Sequence, residues 1–186
     1  MENFIKLILL LTFTNSSSQV IVNNSTFNQG PTEGKYFKDL DNNIPAFEGI
    51  WQNTTGNITF RIILFKETKK PFGYPVEYFM DNMGGSFQII QDLGTSNEMV
   101  LHNSIKFYPG STHSETSVFF ADADATGLGG WMRDNCASVG SGSLVAFFEL
   151  NKITPTTAHW NVKPGAIRFS GQYFSIPTDV IMTKIN

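Results

Sequence analysis

The feature that most constrains this chain is a strictly alternating run beside a tight turn. Residues 58–66 read ITFRIILFK, which places Ile58, Phe60, Ile62 and Leu64 on one face and starts the other face with Thr59 and Arg61. A period of two is the signature of a half-buried strand. Just before it, residues 47–53 (FEGIWQN) form a second short strand pattern, and the NTTGN segment between them supplies Gly56 for a turn at positive φ. The same style recurs at 76–80, 86–91, 98–102, 104–108, 117–121, 143–150, 157–162, 166–170 and 179–185. Gly84-Gly85, Gly94 and Pro109-Gly110 punctuate the series, and 66–74 reads as a solvated hairpin end. About nine or ten strands at spacings of roughly 8–12 residues predict an all-β sandwich or barrel.

Composition sets the limits around that pattern. The chain has 186 residues, a length that predicts one folded domain. Its 17 Phe provide a large apolar core and argue against wholesale disorder. The net charge is −3, so no basic excess exists to neutralise phosphates, and nucleic acid is not an expected partner. A single cysteine, Cys136, excludes an intramolecular disulfide framework and a multi-cysteine zinc site. It lies in a small-residue stretch and is expected to be buried rather than reactive.

The amino terminus reads as an address. One Lys falls in residues 1–6, an apolar run in 7–13, and small polar residues in 15–18. That order predicts a signal peptide over 1–18, cleaved near Ser18-Gln19. The run is shorter than the roughly 20 apolar residues that span a bilayer. The mature chain is therefore expected to be secreted or periplasmic, with no transmembrane segment. Residues 19–46 are rich in turn formers and read as an extended polar arm, leaving 47–186 as the β-domain.

Gly49-Ile50-Trp51, followed by a tight turn and a long second strand, resembles the opening of the calycins, the lipocalin-like and avidin-like barrels. The resemblance implies an antiparallel lipocalin-like (calycin-type) β-barrel of about 8–10 strands. It implies that Gly49 allows a close approach, that Trp51 plugs the barrel floor, and that a late Arg stacks on it. Arg168 is the sole late Arg, and it sits one strand early. Asn53 and Asn57 fall where avidins place polar biotin contacts. The surroundings of Trp131 and Trp160 do not match the avidin tryptophan motifs, so biotin is not an expected ligand. A longer match is to a family of uncharacterised bacterial secreted proteins, a domain of unknown function. It is carried by Tyr36-Phe37-Lys38-Asp39, by the F-x-G-x-W of 47–51, by the T-F-x-I-x-L-x-K of 59–66 and by the closing segment 176–184. That resemblance implies location and fold rather than chemistry.

Candidate chemistry is sparse. Trp51, Phe60, Ile62, Leu64, Phe87, Ile89, Phe119, Phe147 and Trp160 are the expected interior set. Such side chains either fill a barrel solidly or line a site for one small hydrophobic ligand. Asp122 and Asp124 precede Gly127 as in the first half of a calcium loop, but the twelfth position is Arg133 rather than Glu. The plain alternative is a polar loop leaving the 117–121 strand. Residues 126–142 are Gly-rich without a phosphate-loop Lys, and predict a loop at the barrel mouth carrying Trp131 and Met132. His102, His113 and His159 have no metal spacing, and nothing pairs one of them with Cys136. No cofactor and no enzyme activity are expected.

Three readings follow: a secreted barrel for a small apolar ligand, a solid-core structural or interaction module of the cell envelope, and, least favoured, an enzyme using the Gly-rich segment. No pattern sets an oligomeric state. A cavity inside favours the first reading, and a packed interior with an apolar outer patch favours the second.

Overall fold

The structure is a computed structural model that describes residues 19–27, 29–104, 106–107, 114–115, 118–124, 126–134, 144–164 and 174–185; the side chains of 106–107, 114–115, 118–123 and 164 are outside that description. Its strands are β1 (Val20–Asn23), β2 (Lys35–Lys38), β3 (Gly49–Thr55), β4 (Ile58–Phe72), β5 (Tyr78–Gln91), β6 (Met99–Asn103), β7 (Lys106–Phe107), β8 (Ser114–Glu115), β9 (Val118–Ala123), β10 (Gly127–Asp134), β11 (Leu144–Thr154), β12 (Thr157–Pro164) and β13 (Asp179–Ile185). Two short 3₁₀ turns, Asn24–Thr26 and Ile44–Phe47, are the only helical elements among the described residues. The chain is thus all-β, as its period-two patterning predicts.

Ten strands follow one another in the order β1-β2-β5-β4-β3-β13-β12-β11-β10-β9, and β6 adds to β5. The end strand β9 returns to β5, but through one pair alone, Gly85↔Val118. The expected closed antiparallel barrel is therefore corrected: no full ladder seals the seam. The reason lies in how β5 shares its edge. It pairs β2 at Phe79 and Met80 and β6 from Gln88 to Gln91, which leaves β9 the Gly85 position between them. The β1–β2 and β2–β5 ladders are also parallel, against the antiparallel expectation. The arm of 19–46 is not a free extension, because its two strands join the sheet.

Two sequence punctuation marks prove to be strand interior. β4 runs 15 residues through the expected hairpin end, and β5 runs 14 through Gly84-Gly85. A Cβ on Gly84 would stand 2.7 Å from Phe65 Cε2, so this glycine permits a close approach across the ladder rather than a turn. The described part of the Gly-rich segment, 127–134, is likewise the strand β10 rather than a mouth loop, and 135–142 lie outside the described residues. The predicted strand at 166–170 lies outside the described residues.

Alternation then builds one core. Trp51, Phe60, Ile62, Leu64, Met83, Phe87, Ile89, Met132, Phe148, Leu150, Trp160 and Met182 face inward from seven strands. Phe148 stacks on Trp160 with centroids 5.0 Å apart, and Phe60 meets the same indole at 5.6 Å. Ile44 and Phe47, on the second 3₁₀ turn, are fully buried against this cluster. Fully burying one such side chain contributes about 1.5–3 kcal/mol.

Candidate functional site

Seven of the nine expected interior residues meet in one cluster: Trp51, Phe60, Ile62, Leu64 and Trp160, with Phe87 and Ile89. The first five are each no more than 2% exposed. A side chain with no surface open to a water-sized probe does not line a cavity. Phe147 is corrected outright. It is half-buried on the opposite face, its ring edge-on to exposed Trp131 at 5.6 Å, and the inward position belongs to Phe148. The alternation of Leu144, Ala146, Phe148 and Leu150 carried that signal, since charged Glu149 marks the other face as the outer one. Phe119 pairs with Trp131 across β9 and β10, and its side chain is outside the described set.

The floor of the core is built from the motif residues. Gly49 adopts φ 117°, and a Cβ there would lie 3.2 Å from Lys184 Cε. Glycine thus meets both a left-handed backbone and the passage of a neighbouring side chain. Trp51 Nε1 donates to the Phe47 carbonyl at 2.8 Å. Lys184, on β13, places its ammonium 5.6 Å from the centroid of the Trp51 ring and donates to the Ala46 carbonyl at 3.3 Å. A cation does cover the floor indole, but it is a lysine of the last strand. Arg168 lies outside the described residues.

Beside this floor sits a buried polar network that residue spacing did not reveal. Tyr36 Oη donates to Asp81 Oδ1 at 2.6 Å, and the backbone N–H groups of Lys69 and Asp39 donate to the same carboxylate. Lys66 Nζ bonds Asp39 Oδ2 at 2.9 Å and stands 3.8 Å from Asp81 Oδ2. Asp39 in turn accepts from the N–H groups of Asn43 and Ile44, and Glu48 accepts the Lys66 N–H. Burial alone would raise the Asp81 carboxyl. The bonds from Tyr36, Lys69 and Asp39, with the Lys66 charge, hold it below the ordinary carboxylate range instead. Burial, then the hydrogen bond and charge of Asp81, push the Tyr36 phenol well up. Tyr36, Asp39, Glu48 and Lys66 all come from the motif segments. The chemistry they perform is to tie the amino-terminal arm onto β4 and β5.

The outer face carries a different arrangement. Asp124 follows β9, and its Oδ1 accepts from Thr126 N, Thr126 Oγ1 and Gly127 N at 2.6, 2.8 and 2.7 Å. These bonds, the Thr126 N–H first, lower its pKa. The carboxylate oxygen that a calcium loop would use is thus committed to its own turn. Asp122 lies within β9 rather than in a loop, and its side chain is not described. No group of three or more His, Cys, Asp or Glu gathers to hold a metal among the described residues. Past the turn, Gly127 and Gly129 floor a cleft of about 310 Å³, walled by Phe147, Glu149, Asn151 and Asp124. A second, polar cleft of about 470 Å³ lies along Gln52, Thr54, Asn57, Thr59 and Asp92.

His159 is part-exposed and paired with Asp179 at 2.6 Å. His113 and Cys136 lie outside that set. No described helix is long and apolar enough to cross a membrane. A search of the curated proteins and of the solved structures finds no match to this chain. A family model does match, over residues 1–135, a span that takes in the Tyr36–Asp39 segment, the Gly49–Trp51 strand and the whole Asp81 network. What those motifs build is a tied floor, and the chain that carries them belongs to the family of unknown function DUF6705.

Proposed function

We propose that the mature chain is a secreted, non-enzymatic, calycin-like β-domain with a solid core, an interaction module that works through its outer face rather than an internal carrier. The observation that carries this reading is the burial of Trp51, Phe60, Ile62, Leu64 and Trp160, which leaves no water-sized room beside them. Apolar side chains stand outside instead. Trp131 is 48% exposed and lies directly across from Phe147, with exposed Val145 two residues along β11. Contiguous apolar groups on an outer face mark interaction sites. The calycin part is supported by the Ile44–Phe47 turn, the Gly49–Trp51 strand and its hairpin, and the return of β13 to β3 with Lys184 over Trp51. Secretion rests on the apolar run of 7–13 and the polar residues that follow it.

Two measurements on the mature protein test it. Titration with palmitate or an apolar naphthalene dye is expected to show no saturable one-to-one uptake. Acrylamide is expected to quench the emission of Trp131 while sparing Trp51 and Trp160. Stoichiometric uptake of the apolar probe, with a change in buried-tryptophan emission, would overturn the module reading in favour of a carrier.

A further inference from the structure

The cleft over Gly127 and Gly129 has a chemistry that selects its occupant. In β10 the outward positions are Gly127, Gly129 and Trp131, so two consecutive outward sites on one strand carry no side chain. Side chains of the neighbouring strand lean over both sites. A Cβ on Gly129 would come 3.1 Å from Phe147 Cζ, and one on Gly127 would come 2.8 Å from Asn151 Oδ1. The ring and the amide therefore lean over bare backbone and make the walls of an open trough. Its volume, about 310 Å³, stands at the lower end of ligand clefts, which run roughly 300–1,000 Å³.

The lining then excludes classes of ligand. Asp124, Glu149 and Asn151 make it too polar for a purely apolar molecule. The two carboxylates repel an anion. A cation is not demanded either, because Glu149 is already paired and one oxygen of Asp124 is committed to its own turn. Lys163 Nζ bonds Glu149 Oε1 at 2.6 Å, and Asp124 Oδ1 accepts three hydrogen bonds from Thr126 and Gly127. What remains is a trough with hydrogen-bond acceptors along one side, an amide able to donate and accept, and the Phe147 ring, backed edge-on by Trp131, at one end. A neutral ring with one apolar face and a rim of hydroxyl donors complements every part of it.

We propose that this cleft binds one ring of a neutral carbohydrate chain, a site that rests on the reading of an outer-face module and names its ligand class. The sugar's apolar face lies toward Phe147, and its hydroxyls donate to Glu149, Asn151 and the outer oxygen of Asp124. The glycines serve by letting the Phe147 ring and the Asn151 amide lie close against the strand.

The test is isothermal titration of the full mature chain with cellohexaose, maltohexaose and chitohexaose, with tetra-arginine as the cationic control, and with Trp131 emission read in parallel. Saturable binding of at least one glycan is expected. Phe147→Ala and Gly129→Val are each expected to weaken it by about tenfold or more. Glu149→Gln, which keeps the shape, is expected to weaken it less and leaves the fold as a control. No saturation by any of the three glycans up to about 10 mM overturns the carbohydrate assignment. So does binding of tetra-arginine alone, or glycan binding that Gly129→Val leaves unchanged. A failure here with no palmitate uptake removes the sugar and keeps the outer-face module; palmitate uptake removes the module itself.

Discussion

The tied floor and the open cleft stand on the same curled sheet and are built in opposite ways. At the floor every polar group of the Asp81 cluster meets a partner from a segment distant in sequence: Tyr36 lies 45 residues away, and Lys69 lies 12 away across the β4–β5 ladder. At the cleft, the Asp124 carboxylate bonds residues two and three positions on, and two glycines let the Phe147 ring and the Asn151 amide lie close to the strand. Long-range partners make a fastening, because losing one strands the others in a buried place. Local partners shape a turn and leave the surface beyond it free. The difference teaches where to look for function in this molecule: not among its densest motifs, which hold the arm down, but where the sheet leaves its side chains out.

The comparison breaks most sharply at Asp81. Asp81→Ala is expected to cost about 3–5 kcal/mol, the scale for removing a buried charged partner, since it leaves the Tyr36 hydroxyl and the N–H groups of Lys69 and Asp39 without their acceptor. Urea denaturation of the variant measures it. A loss under about 1 kcal/mol would show that the arm is held by the apolar packing of Phe37 and Phe47 alone.

Nearly as large is the contrast between two adjacent phenylalanines. Phe148→Ala opens a cavity beside Trp160 and is expected to cost about 3–5 kcal/mol. Phe147→Ala loses a half-buried ring on the outer face and is expected to cost about 1 kcal/mol or less. Equal losses at the two positions would mean that the register of β11 is not the one described.

Much of the fold was legible, and what escaped did so for physical reasons. The β3–β4 hairpin followed from alternation, and its ladder pairs Trp51 with Ile62 and Thr55 with Ile58 around Gly56. Phe147 was placed one residue out of phase although Glu149 marked its face; in a run of LVAFFEL, two adjacent aromatics satisfy either phase until a charge decides. The glycines misled in a consistent way. Gly84 reads as punctuation between strands and Gly129 as part of a mouth loop, yet each sits in a strand beneath an aromatic ring, of Phe65 and Phe147 respectively. A glycine's sequence signal for a turn and for a close approach is the same. The roles of Lys184 and Asp81 did not show, since Lys184 meets Trp51 from the far end of the chain and Asp81 takes the Tyr36 hydroxyl from 45 positions away.

Acid separates the two regions next. Asp81 ionises more readily folded than unfolded, so at neutral pH it contributes stability. As pH falls below the ordinary Asp value of about 3.9, the unfolded chain takes up the proton first, and the contribution fades as pH drops through the lower folded value. Wild-type Tm is therefore expected to fall between pH 5 and pH 2 more steeply than that of Asp81→Asn, measured by calorimetry. Tyr36 acts in the other direction: its raised pKa makes its contribution whole below about pH 10, and lost as pH rises further.

The smallest effect belongs to Asp124, and its smallness is what sharpens the contrast. The same pH argument has the same sign there, because Asp124 is also held below the ordinary range. But the group is exposed, so solvent screens it and water replaces the lost bonds. Asp124→Ala is expected to cost about 1 kcal/mol or less in global stability, despite three hydrogen bonds to one oxygen. Its effect is expected to be local instead. Hydrogen exchange at the Thr126 and Gly127 amides, which lose their acceptor, is expected to quicken while amides of the Trp160 strand stay unchanged. If the whole sheet exchanges faster, the Asp124 turn is a fastening like the Asp81 cluster, and the division between a tied floor and a free outer face fails at the point where it was drawn most finely.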